Sequence, residues 1–187
     1  RADYLLITHA HRDHILDVEQ IAKNNPKMQL ISNYEIVQWF AKKGIPGMAL
    51  NHGGQLSLDF GFVKYVNAIH SSIFPDGTYG GNPGGFVLGT NKKTIYIAGD
   101  TALTMDMKLI PFTCPKLNLA ILPIGDNFTM GYKDAALAAG FVDCNTVLGY
   151  HYDTFPPIEL DKKAALSHYE KQHLQLLLPE IGETITI

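Results

Sequence analysis

The stretch Thr8-His9-Ala10-His11-Arg12-Asp13-His14 gathers three histidines and one aspartate within six residues near the start of the sequence. Imidazole nitrogen and carboxylate oxygen are the atoms with which proteins bind zinc and related divalent ions. Because side chains alternate along a strand, His9 and His11 are expected to point to the same side. Asp13 and His14 then turn toward a second position in the loop that follows. The stretch therefore predicts ligands for two neighbouring metal ions, the alternative being a histidine-rich surface turn that binds nothing.

Beyond this stretch, the sequence pattern predicts strands and helices along the whole chain of 187 residues. Apolar runs and alternating patterns predict strands at residues 3–8, 29–32, 55–58, 62–69, 86–88, 94–98, 119–123, 146–150, 174–178 and 184–187. Helical spacing predicts helices at residues 15–22, 34–43, 133–141 and 160–173. The first and last thirds alternate strand and helix, whereas the middle third has the pattern of half-buried antiparallel strands. We therefore predict a single α/β domain over residues 1–187 with mixed sheets.

Composition narrows the classes of function. Hydrophobic residues make up 46% of the chain and charged residues 18%, an ordinary balance for a soluble protein. The formal net charge of −3 offers no basic surface of the kind that nucleic-acid-binding proteins use. No apolar run approaches the roughly 20 residues that span a bilayer. We expect a protein that acts on a small molecule, with nucleic acid disfavoured and no membrane partner.

Cys114 and Cys144 are the only cysteines in the sequence. Their spacing fits neither a metal-binding knuckle nor a redox pair. We interpret them as two buried free thiols, which are common in protein interiors. Free thiols persist in a reducing compartment, so the expected location is cytoplasmic.

Residues 9–14, with the pattern H-x-H-x-D-H, resemble the signature of the metallo-β-lactamase superfamily. Proteins of that family are four-layer αββα sandwiches that hold their metals at one edge of the two sheets. Three later residues match the family pattern in order and approximate spacing, namely His70, Asp100 and His151. The resemblance implies a first metal site of His9, His11 and His70, a second of Asp13, His14 and His151, and Asp100 as a bridge between the two.

Each of the three later residues also has a simpler explanation. His70 and His151 each end a predicted strand, where a hydrogen-bonded structural histidine is common. Asp100 follows Ala98 and Gly99 and could cap the segment that comes next. All three lie at strand ends and at family positions, which favours the metal interpretation.

Two further stretches resemble one particular branch of this superfamily. Residues 122–131 (LPIGDNFTMG) and 151–157 (HYDTFPP) resemble a stand-alone bacterial and archaeal branch of metal-dependent hydrolases, which is similar to ascorbate-phosphate lactonases. Members of that branch begin with additional strands and a Gly-His-Ser segment, whereas this chain begins at Arg1, shortly before the metal-binding run. We therefore expect the N-terminal part of the fold to be incomplete. A separate N-terminal fragment that completes the first sheet, or association into a homo-oligomer, is the expected consequence.

The expected ligand set indicates a hydrolase with a binuclear metal site. Two divalent ions about 3.5–4 Å apart can share a hydroxide, which attacks a carbonyl carbon or a phosphorus atom. We therefore predict hydrolysis of a small-molecule ester, lactone, amide or phosphodiester, with Asp13 and Asp100 as catalytic carboxylates and Asp13 as a candidate proton shuttle. Zinc is the expected ion, and manganese, iron or nickel suit the same ligands. Two alternatives stay open: an RNA phosphodiesterase of the same superfamily, and a metal-binding module without catalysis.

Four residues beside the expected ligands are candidates for substrate contacts: Arg12, Asn127, Thr129 and Tyr152. Thr129 has a second interpretation, as the N-cap of the helix that begins near Tyr132. Arg12 either steers an anionic substrate or points away as a surface arginine. Tyr152, together with Phe155, either forms an apolar wall of the site or packs beneath a loop.

Overall fold

The computed structural model describes residues 1–186. Its strands are β1 (Tyr4–Leu6), β2 (Gln29–Asn33), β3 (Gly47–Leu50), β4 (Gln55–Leu58), β5 (Gly61–Asn67), β6 (Gly84–Gly89), β7 (Thr94–Ile97), β8 (Leu119–Pro123), β9 (Thr146–Tyr150) and β10 (Gln175–Leu177). Its α-helices are α1 (Arg12–Ile15), α2 (Val18–Asn24), α3 (Tyr34–Ala41), α4 (Ile110–Thr113), α5 (Tyr132–Phe141) and α6 (Lys162–Lys171). Short 3-10 helices lie at Met105–Leu109 and Pro156–Ile158.

The strands form two sheets. The first has three parallel strands in the order β1-β2-β3. The second has seven strands in the order β10-β9-β8-β7-β6-β5-β4, antiparallel from β4 to β7 and parallel from β7 to β10. It follows that β5, β7, β8 and β9 all run in the same direction. Their C-terminal ends therefore meet at one edge of the larger sheet.

Alternation of side chains along the strands divides the core into three apolar layers. Ile31 of β2 packs with Val63 and Phe86 between the two sheets. Its neighbour Leu30 faces the other way, toward Phe40 of α3 and the other residues that cover the first sheet. On the far side of the second sheet, Val87, Val147, Ala135 and Tyr169 pack together with α5 and α6 above the strands. The order of layers is helix, sheet, sheet, helix, which confirms the predicted αββα sandwich.

Three local predictions differ from the structure. The helix expected at residues 15–22 is two helices, α1 and α2, separated at Leu16 and Asp17. Strand β3 was not predicted, because residues 47–50 follow Pro46 without an alternating pattern. The strand expected at residues 184–187 is wrong for residues 184–186, which form no strand, and Ile187 lies outside the described residues.

The helices are short. The two longest, α5 and α6, have ten residues each. Over residues 1–186, no helix combines the length and the apolar character needed to cross a bilayer. Both cysteines carry free thiols; Cys144 is buried as expected, whereas Cys114 is only partly buried.

Candidate metal centre

Four segments of the chain bring the candidate ligands to one edge of the two sheets. His9 and His11 follow β1 in the smaller sheet, and Asp13 and His14 lie in the one-turn helix α1. The other three candidates lie in the larger sheet, His70 after β5, Asp100 after β7 and His151 after β9. Because these three strands end at the same edge, residues far apart in the sequence converge there.

Gly99 fixes the backbone that presents Asp100. Its φ of +67° lies in the left-handed region, which residues with a Cβ atom rarely adopt. A Cβ atom at this position would lie 2.8 Å from the carbonyl oxygen of Gly84 and 2.9 Å from Cβ of Thr8. Only glycine fits this turn, and the turn directs Asp100 toward the histidines.

His151 also stands on left-handed backbone, with φ of +60°. Its carbonyl oxygen approaches Gly125 so closely that a Cβ atom there would lie only 2.0 Å away. Non-glycine residues adopt such a conformation at a free-energy cost and mostly where the surrounding structure holds them in it. The loops after β8 and β9 are therefore packed against each other at the site.

One oxygen of Asp100 lies at the centre of the cluster. Its Oδ2 atom is 3.2 Å from Nε2 of His151 and 3.3 Å from Nε2 of His14. The same atom is 3.7 Å from Nε2 of His70 and 3.8 Å from Nε2 of His9. A single carboxylate oxygen thus contacts histidines from both of the expected ligand sets.

The seven expected ligands form two groups around this oxygen. In each group the candidate donor atoms all lie within 4.8 Å of one another, and the groups are His9, His11 and His70, and Asp13, His14, Asp100 and His151. In the first group, Nε2 of His9 lies 3.1 Å from Nδ1 of His11. In the second, Nε2 of His14 lies 3.2 Å from Oδ2 of Asp13. The structure therefore brings all seven residues together, in the two groups that the family resemblance implies and with Asp100 among the ligands of the second group.

A buried polar atom without a partner indicates what the cluster binds. Oδ1 of Asp100 is buried and has no hydrogen bond among the described residues. Buried polar atoms are nearly always satisfied in folded proteins, so such exceptions point to an absent partner. Imidazole nitrogens and carboxylate oxygens that converge on one point suit a divalent cation. The cluster thus fits metal binding.

The protonation states of His9 and Asp100 in the metal-free cluster also suit metal binding. Burial, together with the neighbouring His14, lowers the pKa of His9 to about 2. Burial would raise the pKa of Asp100, but hydrogen bonds from His14 and His151 outweigh it and hold the pKa well below its ordinary value. His9 is therefore neutral and Asp100 ionised at neutral pH. These are the forms in which both residues bind metals.

The two remaining histidines with shifted pKa values move in opposite directions. Burial lowers the pKa of His70. The hydrogen bond to Asp100 raises the pKa of His151, against the effect of its own burial. Without a cation in the cluster, the negative charge of Asp100 therefore stabilises the protonated form of His151.

Two hydroxyl groups orient the first pair of histidines. Oγ1 of Thr8 lies 3.0 Å from Nδ1 of His9, and Oγ of Ser71 lies 3.2 Å from Nε2 of His11. Each contact occupies one ring nitrogen and leaves the other to face the cluster, as partners of metal-binding histidines generally do. Sequence reasoning missed both hydroxyls. The available signal was their position, each directly beside a ligand histidine.

A cleft of about 640 Å³ opens over the cluster. It is lined by His11, Asp13, His70, Ser71, Asp100, Phe128, His151, Thr154 and Phe155. Ser71 and Thr154 were not predicted as part of the site. Phe155, which the sequence left between a wall of the site and loop packing, lines the cleft.

The four candidate substrate contacts lie outside this lining. Arg12 borders a neighbouring pocket of about 460 Å³ beside Trp39. Tyr152 is half-buried against the core, and Asn127 is exposed in the loop after β8. Thr129 lies in the same loop and its side chain is partly buried. Contacts between these residues and a substrate stay predictions.

The capping interpretation of Thr129 is wrong. The N-cap of α5 is Gly131, which offers no side chain to the helix. The hydroxyl of Thr129 instead donates to the carbonyl of Met130 at 3.4 Å. The loop places Thr129 too early in the chain to reach the free amides of the first helical turn.

Comparison with known proteins agrees with this architecture. A family model described as the β-lactamase superfamily domain matches residues 1–152. The chain belongs to the metallo-β-lactamase superfamily. A metal-dependent hydrolase of Flavobacterium johnsoniae is 57% identical to it over 187 residues, which are 100% of this chain and 82% of the relative. The metal-dependent hydrolase YtkL of Bacillus subtilis is 46% identical over 169 residues, 88% of this chain and 74% of the relative.

A solved structure is similar over nearly the whole of this superfamily member. The metallo hydrolase Igni18 of the archaeon Ignicoccus hospitalis superimposes with a TM-score of 0.87 at 33% identity. The match covers 98% of this chain and 78% of Igni18. Because these relatives are similar over most of their length, the chain is a metal-dependent hydrolase of the superfamily. Its His/Asp cluster is the metal-binding part of the enzyme.

Proposed function

We propose that this enzyme hydrolyses a small-molecule ester, lactone, amide or phosphodiester with two divalent metal ions, zinc first among the candidates. The proposal rests above all on Oδ2 of Asp100, which lies within 3.8 Å of histidines from both ligand groups. His9, His11 and His70 would hold one ion, Asp13, His14 and His151 the other, and Asp100 both. Manganese, iron and nickel suit the same ligands. Bound ions of this kind supply Lewis acidity and lower the pKa of water toward neutrality.

The carboxylates of the chain have separate tasks in this proposal. Asp100 is ionised and buried, so its negative charge reduces the repulsion between two cations held beside it. Asp13 lines the cleft with a side chain that is 68% exposed, and its carboxylate can therefore accept a proton from an incoming water. In hydrolysis the water oxygen bonds to carbon or phosphorus, the bond to the leaving group breaks, and the leaving group takes up a proton.

The wall of the cleft favours a small molecule over RNA. Of the described residues that line it, none is lysine or arginine. Proteins that bind nucleic acid neutralise several phosphates with such side chains. A small ester, lactone, amide or phosphodiester needs no basic surface beyond the metal cluster.

Metal analysis and turnover test the proposal together. By inductively coupled plasma mass spectrometry we expect about two divalent ions per chain. We also expect the metal-loaded protein to hydrolyse 4-nitrophenyl acetate or bis(4-nitrophenyl) phosphate. Chelation should abolish turnover, and added zinc should restore it. A protein that stays inactive after zinc, manganese, iron and nickel have each been added would contradict the proposal.

Substitution of the bridging residue tests its central observation. Asp100→Ala should lower turnover by at least about a hundredfold and reduce the bound metal, because it removes the residue proposed to hold both ions. Circular dichroism checks that the fold is retained. His168→Ala is the matched control, since His168 lies on α6 and its ring contacts Tyr132 instead of the cluster. Full turnover by Asp100→Ala would show that another residue bridges the ions.

A further inference from the structure

We propose that Phe128 and Phe155 form a subsite for a flat, uncharged apolar group of the substrate, such as an aryl ring. This inference rests on the proposed function and specifies its substrate class. Both side chains line the cleft that contains the metal cluster. Their ring centroids are 5.8 Å apart, with an angle of 38° between the ring planes. The two rings thus form a small aromatic surface beside the site of hydrolysis.

Neither ring is buried by the protein itself. Phe128 is 53% exposed and Phe155 is 43% exposed, although large apolar side chains are usually covered. Two such rings at one cleft constitute an apolar surface that water covers in the free protein. Release of this water on contact with an apolar group favours binding.

The loop that carries Phe128 is held in one conformation. Asp126 and Asn127 have positive φ angles of 63° and 57°. The amide of Asp126 donates to the carbonyl of Met130 at 3.0 Å, and the amide of Phe128 donates to the carbonyl of Asp126 at 2.6 Å. Little conformational entropy is then lost when a ligand contacts the ring, which improves affinity.

The loop that carries Phe155 is similarly constrained. The amide of Ile158 donates to the carbonyl of Phe155 at 3.0 Å, and the amide of Asp153 donates to the carbonyl of Ile158 at 2.9 Å. Two prolines, Pro156 and Pro157, follow the ring and restrict the backbone further. Both rings are therefore presented by preorganised loops.

Charges around the rings favour an uncharged group. Lys162, the first residue of α6, is 3.6 Å from Asp153 and paired with it. Arg12 borders the neighbouring pocket instead. No lysine or arginine is among the described residues that line the cleft, so no side chain there offers a cation to an anionic group on the substrate. The surroundings of the two rings therefore suit an apolar group of the substrate that carries no charge.

Binding of two matched chelators tests the subsite without requiring turnover. Benzohydroxamate and acetohydroxamate carry the same metal-binding group and differ by phenyl in place of methyl. We expect the metal-loaded protein to bind benzohydroxamate about tenfold more tightly by titration calorimetry. Phe128→Ala and Phe155→Ala should each remove most of this preference while leaving the affinity for acetohydroxamate nearly unchanged.

Phe112→Ala is the matched control, because Phe112 is 85% exposed on α4 and does not line the cleft. It should retain the full preference. Equal binding of the two chelators by the wild type, or a preference that survives both substitutions, overturns the inference. Failure of the proposed function has a different signature, since the metal-loaded protein without chelator would then hydrolyse neither an ester nor a phosphodiester, even if it prefers benzohydroxamate.

Discussion

The hydroxyl oxygen of Ser71 lies 3.2 Å from Nε2 of His11, while Nδ1 of the same ring lies 3.1 Å from Nε2 of His9. The two nitrogens of His11 therefore have different surroundings. Contact with the hydroxyl selects the orientation in which Nδ1 faces the metal cluster. Ser71 is exposed and lines the cleft, so water competes with it for this contact.

Removal of this hydroxyl should weaken metal binding. Ser71→Ala leaves Nε2 of His11 without its protein partner, and we expect metal affinity to fall by about 10- to 100-fold. Competition with a chelating dye measures the change. Ser57→Ala, at an exposed position of β4, is the control and should bind metal like the wild type. Equal affinity in the two variants would mean that Ser71 does not orient the ligand.

Acid should destabilise the metal-free protein through His9. Burial lowers the pKa of His9 from 6.5 to about 2, whereas the unfolded chain takes up this proton near pH 6.5. Below pH 6.5 the unfolded state therefore binds more protons than the folded state. The contribution of His9 to stability is complete above pH 6.5 and is lost as the pH falls toward 2. We expect this residue to lower the free energy of unfolding by up to about 1.4 kcal/mol per pH unit in that window.

Urea unfolding with a chelator present, at pH 7.5, 6.5 and 5.5, measures the slope. His9→Gln should flatten it, because glutamine does not titrate. The raised pKa of His151 acts in the opposite direction, with stability that is lost as the pH rises, so the difference between wild type and variant isolates His9. His168→Gln should keep the wild-type slope. Parallel slopes in wild type and His9→Gln would contradict the assignment of a neutral buried imidazole.

Alanine at two glycines should change stability in opposite directions. Gly99→Ala forces a Cβ atom to within 2.8 Å of the carbonyl oxygen of Gly84 on left-handed backbone, and should destabilise the fold by about 1–3 kcal/mol. It should also weaken metal binding, since Asp100 is the next residue. Gly140→Ala meets no atom within 4 Å on helix α5 and should stabilise the protein by about 0.5–1 kcal/mol. Thermal unfolding measures both, and a neutral Gly99→Ala would show that the turn relaxes.

Much of the fold could be predicted because its elements have strong local patterns. The alternating strands β4 and β5 and the helix α5 lie within a few residues of their predicted positions. Strand β3 could not be recognised, since it becomes a strand only by pairing with β2. The opposite error at residues 184–186 has the same origin, because a β-branched segment becomes a strand only when it pairs with another one.

The metal cluster was more predictable than the cleft above it. His70 and Asp100 follow strands β5 and β7, and their order and spacing match the pattern of the family that the sequence resembles, which allowed both to be predicted as ligands. The lining of the cleft depends instead on loop dihedral angles, such as the positive φ of Asn127, which no local pattern determines. Phe128 lines the cleft while its neighbours Asn127 and Thr129 do not. Adjacent residues in a tight turn point in different directions, and their order in the sequence does not reveal which one faces a ligand.

The ligands of the cluster come from both sheets, His9 and His11 from the smaller one and His70, Asp100 and His151 from the larger one. A bound ion would therefore link the two sheets, at an edge where the carbonyl of Thr8 already accepts hydrogen bonds from the amide of Gly84 and the hydroxyl of Tyr65. Its binding free energy adds to the cohesion of the layers, and chelation removes that share. The metal that the enzyme needs for catalysis would thus also stabilise the contact between its two sheets.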